Sequence, residues 1–203
     1  MADSAEPAGR RRPNRRGEGG RLRDDLVDAA TALVTEAGHA RDLSLRAVAR
    51  RVGIATTSVY PHFADVDALK VAVAERGHAE LDRYRREAAP DLADPAAGLL
   101  ARCRGYGRFA VEHPGYYRIM FGPELPDQLA YDAPDSPGRR ALTGLAESIR
   151  RCSAGADSHE LAVLVWGALH GLASLRIDRP HFPWPTTLDR AIDEAVRRLV
   201  GLG

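Results

Sequence analysis

The sequence predicts an all-α protein. Apolar residues recur at helical spacing from residue 22 onward, no run alternates convincingly with period two, and glycines, prolines and capping side chains stand where helices start and stop. About nine helices are expected and no internal repeat, with a compact N-terminal three-helix unit preceding a larger helical region.

Residues 1–20 hold Gly, Pro, Arg and Ser with almost no large apolar side chain, too little to offset the entropy of ordering, and are expected to form a disordered basic arm. Helix one follows from Leu22, Leu26, Ala29, Leu33, Val34 and Ala37, which share one helical face, with Gly38 as its stop. Helix two follows from Leu45, Val48, Ala49 and Val52, with Ser44 as N-cap and Gly53 as breaker. A short third helix is expected over Thr56 to His62, and a long fourth from Val66 to about Ala88, capped by Asp65. Asp94-Pro95 and Ser136-Pro137 each set a capping side chain before a first-turn proline. His113-Pro114-Gly115 ends the helix begun at Asp94 and opens a short one over Tyr116 to Phe121, after which Gly122 to Asp135 reads as a loop. Three more helices are expected at about 137–153, 158–178 and 186–201. The domain boundaries implied are 1–20 for the arm, 21–65 for the three-helix unit and 66–203 for the rest.

The overall composition, 44% apolar and 28% charged, is that of a globular chain. The longest apolar run, 161–169 with Gly167 included, has nine residues, against the ~20 of a membrane span. With no secretory signal pattern, and only Cys103 and Cys152 as thiols, a cytoplasmic protein without a membrane partner is expected. The formal net charge of +1 hides a gradient: residues 1–9 are −2, residues 10–63 are +5, and residues 64–203 are −2. Clustered positive charge is the footprint of phosphate binding. A single lysine, Lys70, stands among 29 basic residues.

Enzymatic motifs are missing. The chain has no His-Glu-x-x-His, P-loop, Cys-x-x-Cys or nucleophile elbow, and Gly17-Glu-Gly-Gly20 follows no strand. His78 and Asp82 share a helix face, but two ligands make no zinc site, and they read as a solvated surface pair. No catalytic activity, metal or cofactor is expected.

Two short helices joined at Gly53, with another packed before them, make a helix-turn-helix, which lays its second helix in the DNA major groove. Thr56, Thr57 and Ser58 are small hydroxyl side chains that reach base edges or phosphates. Tyr60 and His62 offer polar tips to the backbone, Ser44 and Arg46 open the first helix where phosphate contacts fall, and Arg21 adds charge at the arm. The residues Leu43-Ser-Leu-Arg-Ala-Val-Ala-Arg-Arg-Val-Gly-Ile54 and Ala55-Thr-Thr-Ser-Val-Tyr-Pro-His-Phe63 closely resemble the DNA-binding domain of TetR-family transcriptional regulators. The match runs from about Leu22 to Leu69. It departs from the family pattern at Ala55, where a serine usually caps the recognition helix, at Thr57, often glycine, and at Val66, where a lysine commonly touches phosphate.

The remaining two thirds carries a second resemblance. Trp166-Gly-Ala-Leu-His-Gly171 looks like the Trp-x-x-x-His-Gly signature of one C-terminal subfamily of these regulators, and His113 to Gly122 fits the same group. Leu161, Leu164, Val165, Ala168, Leu169 and Leu172 make one stripe of the 158–178 helix, Val163, Trp166 and His170 lie opposite, and the helix is therefore expected to be buried all round. Leu188, Ile192, Ala195, Val196 and Leu199 stripe the last helix. These two helices are expected to form a homodimer interface, as the resemblance also implies. Tyr106, Phe109, His113 and Tyr117, with Met120, Phe121, Trp166 and His170, gather aromatic and soft side chains suited to a small organic effector. The chain is thus expected to be a dimeric regulator that binds double-stranded DNA, a repressor released from a palindromic operator by its effector. The competing class is a helical small-molecule-binding protein or enzyme whose helix-turn-helix no longer functions.

Overall fold

A computed structural model describes residues 19–90, 93–123, 136–153 and 158–202. Among them are eight α-helices and no strand: α1 (Gly19–Ala37), α2 (Leu45–Val52), α3 (Val66–Ala88), α4 (Pro95–Glu112), α5 (Pro114–Phe121), α6 (Pro137–Arg150), α7 (Ser158–Asp178) and α8 (Leu188–Val200). The ninth expected helix is replaced by one 3-10 turn, Thr56–Ser58, followed by irregular turns to His62. Pro61 accounts for this difference, because its ring removes a backbone donor and disfavours α-helical geometry at Tyr60 before it. The arm expected over 1–20 lies outside the described residues, except that α1 takes in Gly19 and Gly20. Most of the loop expected over Gly122 to Asp135 lies outside them as well.

Capping chemistry sets the helix starts. Ser44 Oγ accepts from Ala47 N at 3.2 Å, Asp65 from Ala68 N at 2.7 Å, Asp94 from Ala96 N at 3.0 Å and Ser136 from Arg139 N at 3.2 Å. α2 ends at Gly53, whose φ of 80° lies in the left-handed region and lets its N–H return to Ala49 and Arg50. Inside the head, Leu26, Val34, Val48, Val59 and Phe63 are buried together. Arg76 of α3 bridges back to Asp24 and Asp28 of α1.

Behind the head, α4 is the central helix, packed on α3, α7 and α8. Arg104 of α4 holds Asp193 of α8 through two bonds of 2.7 and 2.8 Å. α5, with α3, joins head to body. Gly115 lies so close to α1 that a Cβ there would collide with Thr31 O and Thr35 Oγ1.

α7 departs from the all-round burial expected of it. Ala162, Val165, Leu169 and Ala173 face inward, whereas Val163 is 44%, Leu164 49% and Leu175 40% exposed. Gly167 and Gly171 lie on this outer side with nothing within 4 Å of where a Cβ would stand. The helix is also long and apolar enough to cross a membrane by length and composition. Its apolar residues span a wider angle than one layer of neighbours covers, and a single chain has no second layer for the outer part.

Candidate nucleic-acid interface and effector cavity

The turn after Gly53 is pinned from beneath by Val59 and Phe63, 0% and 2% exposed. Between and before these anchors Thr57, Ser58 and Tyr60 point to solvent, while Thr56 and His62 are half-buried. Ser44, Arg46 and Arg21 are exposed on the neighbouring helices. Six of the eight DNA-directed residues are therefore exposed on the head, and the other two are half-buried.

Two details alter what this surface can do. Ala55 makes no side-chain cap, and its carbonyl instead accepts from Ser58 N at 2.9 Å. Val59, His62 and Phe63 likewise commit their N–H groups to internal bonds. Of the first-turn amides, Ser58 N is thus committed internally, and the hydroxyl side chains of the turn supply further polar groups.

Basic charge in the head is also less available than a count suggests. Arg51 forms a bidentate pair with Glu36, and the Arg23 guanidinium lies 5.0 Å from the Phe63 ring centroid. Arg46 and Arg50, one turn apart on the exposed face of α2, form no ion pair among the described residues. Arg50 was not singled out from the sequence, although its i, i+4 spacing from Arg46 was the available signal.

The body holds an apolar cavity of about 40 Å³ between α3, α4, α6 and α7. Tyr106, Phe121 and Trp166 line it, with Leu142, Leu145 and Leu169. Beside it, Tyr117 Oη lies 2.7 Å from His170 Nδ1 and 3.4 Å from Ser174 Oγ, and Tyr106 donates to Tyr117 at 3.4 Å. Phe121 packs against Tyr117 and His170 at centroid distances of 5.0 and 5.5 Å. Burial pushes the Tyr117 hydroxyl up and the His170 imidazole down, so both stay neutral near pH 7.

Five of the eight effector-directed residues are therefore brought together: Tyr106, Tyr117, Phe121, Trp166 and His170. The other three stand apart from the cavity. Phe109 is fully buried against Tyr84 and His113, Met120 packs on Gly77, and His113 Nε2 lies 3.0 Å from Tyr84 Oη.

His78 corrects the sequence reading. It is half-buried at the cavity wall, edge-on to Phe121, and burial pushes it down to about 4 despite the opposing pull of Asp82. The helical spacing of His78 with Leu81 and Arg85 could have placed it inward. Cys103, also in the wall, is pushed up to about 12 by burial and remains a thiol.

Phe121 also borders a second cleft, where Tyr117, His170 and Asp178 meet Gly38, His39 and Arg41 of the head. Arg118 of α5 holds Asp178 of α7 at 3.0 Å in the same place. Cavity and head are thus connected through one aromatic side chain.

Residues 99–199 match the family of tetracyclin repressor-like C-terminal domains. Among solved structures, the fold is similar to a TetR-like transcriptional regulator from Rhodococcus sp. RHA1, with TM-score 0.68 and 19% identity over 94% of this chain and 97% of that one. It is similar to the TetR family transcriptional regulator PfmR from Thermus thermophilus, with TM-score 0.65 and 17% identity over 87% and 97%. A SmeT–triclosan complex matches with TM-score 0.67 and 21% identity over 89% and 90%.

Proposed function

The stretch 99–199 belongs to the tetracyclin repressor-like C-terminal domains, and from that premise we propose that the whole chain is a TetR-family transcriptional regulator that binds DNA. It acts in the cytoplasm as a homodimeric repressor, and a small organic effector releases it from a palindromic operator. Residues 21–65 are its DNA-binding domain and 66–203 its effector and dimerisation domain. The Trp166 to Gly171 motif assigns it to the Trp-x-x-x-His-Gly subfamily.

The observation that carries this proposal is the pairing of a solvent-facing hydroxyl cluster, Thr57, Ser58 and Tyr60, with an apolar cavity that touches the same head through Phe121. The open face of α7, with Gly167 and Gly171 unobstructed, supports a second copy seated there. Two heads joined in this way address half-sites about 34–36 Å apart. SmeT, a structural relative, binds triclosan, a precedent for an organic effector.

Effector entry would move Phe121 and, with it, Tyr117, His170 and α5, whose Gly115 is pressed on α1. The head then shifts because the ligand favours one of two arrangements, which is all that coupling requires.

Titration of the purified chain onto duplex from its own upstream region, across salt concentration, tests the DNA-binding claim. Affinity falling steeply with salt is expected. Absence of binding at low salt overturns it and favours a small-molecule-binding protein whose helix-turn-helix is vestigial, the reading supported by the uncapped Ala55 turn. The effector claim fails if ligands that raise Tm leave operator affinity unchanged.

A further inference from the structure

The apolar cavity opens onto a wide groove between α3 and α6, and the two share His78, Arg85, Arg102 and Ala141. The cavity wall is largely hydrocarbon, whereas the groove carries four arginines, Arg85, Arg86, Arg102 and Arg140. Two acids, Glu75 and Asp82, face them there, and Asp82 lies 3.5 Å from Arg85. The groove is therefore net positive by two. Arg102 reaches only the Ser148 hydroxyl, at 3.4 Å, with no carboxylate partner among the described residues.

We infer that the effector is an amphipathic organic anion, its apolar body in the cavity and its carboxylate, sulfonate or phosphate head among Arg85, Arg102 and Arg140. This deepens the effector reading above and rests on it. A cationic amphiphile would place its charge against four guanidinium groups. A neutral one would forgo charge-assisted bonds that guanidinium makes well with planar or tetrahedral oxyanions. His78, neutral at the junction, adds no charge of its own and lets the body of the ligand pass. The buried Cys103 thiol provides no covalent capture.

Two dyes with the same aromatic body separate charge from apolarity: 8-anilinonaphthalene-1-sulfonate and the neutral N-phenyl-1-naphthylamine. The full chain is expected to bind the sulfonate at least tenfold more tightly. Replacing Arg85, Arg102 and Arg140 together by glutamine (R85Q, R102Q, R140Q) should remove that advantage and leave the neutral dye within twofold. Equal binding of both dyes by the unaltered protein, or an equal loss of both in the triple variant, overturns the inference. If the triple variant loses helicity, wild-type salt titration decides: chloride should compete with the sulfonate and spare the neutral dye. Leu145→Trp, which fills the cavity, should abolish both signals, and dye still bound to it would sit elsewhere, for instance on α7, and overturn the site. Operator binding measured without dye keeps the two claims apart. Loss of DNA binding with sulfonate preference intact defeats the regulator reading alone, and the reverse defeats the anion inference alone.

Discussion

Single side chains decide several properties here. Tyr60 is 56% exposed beside Pro61, on the turn that follows Gly53. Tyr60→Phe removes one uncharged contact, so affinity should drop about fivefold, near 1 kcal/mol, for all sequences alike. The salt slope should stay unchanged, because no charge is removed. A change in base preference in a duplex-binding comparison would reassign Tyr60 to base reading. His78 governs a different observable. Its folded-state pKa of about 4 lies below the ordinary 6.5, so the unfolded chain binds more protons between those values. The contribution of His78 to stability is therefore complete above about pH 6.5 and is lost as pH falls toward 4. Burial lowers His170 in the same sense. His78→Gln should make the decline of Tm over that window shallower than in the unaltered chain, and an unchanged slope would show that His78 is solvated.

At the scale of elements, helix boundaries were legible because caps and stops are local chemistry. Ser44, Asp65, Asp94 and Ser136 each hold the N–H that their position implies. The third helix was not, because the restart after Gly53 suggests a helix while Pro61 works against one, and a single proline weighs heavily over so short a stretch. The outward face of α7 was misjudged for a related reason: periodicity reports which residues are apolar, not how many neighbours exist to cover them. The cavity was half legible. Its aromatic share could be counted along the chain, but the contributions of α6 and of His78 depend on which helix faces which. α5 offers a direct test of packing. Gly115→Ala forces a methyl group against Thr31 O and Thr35 Oγ1, and should lower stability by about 1–3 kcal/mol, read as a drop in Tm with helicity retained. An unchanged Tm would show that α5 and α1 can separate freely.

For the whole molecule, the charge gradient needs refining. Of the +5 carried by residues 10–63, residues 10–18 account for +4 and residues 19–63 for only +1. The folded head is therefore almost neutral, with Arg51 paired to Glu36 and Arg23 lying over the Phe63 ring. Deleting residues 1–18 should weaken binding to all duplexes and reduce the salt slope, while relative preference between sequences persists. A truncated chain with an unchanged slope would place the phosphate contacts on the head. Dimerisation is tested on α7. Leu164→Glu puts a carboxylate on a face that is open in the single chain, so helical content should hold while sedimentation shifts to monomer and operator affinity falls by at least tenfold. Persistence of a dimer would move the interface to another surface.

The small volume of the interior also sets a clock. A space of about 40 Å³ accommodates a few waters, whereas organic ligands commonly occupy about 300–1,000 Å³. Uptake of a ligand that large must wait for the helices around the space to part and enlarge it, a motion of roughly microseconds to milliseconds. Stopped-flow traces should then show an observed rate that levels off with rising ligand concentration at the opening rate, instead of climbing in proportion to it. In such a regulator the motion of the protein, and not the abundance of the signal, would set the fastest possible response.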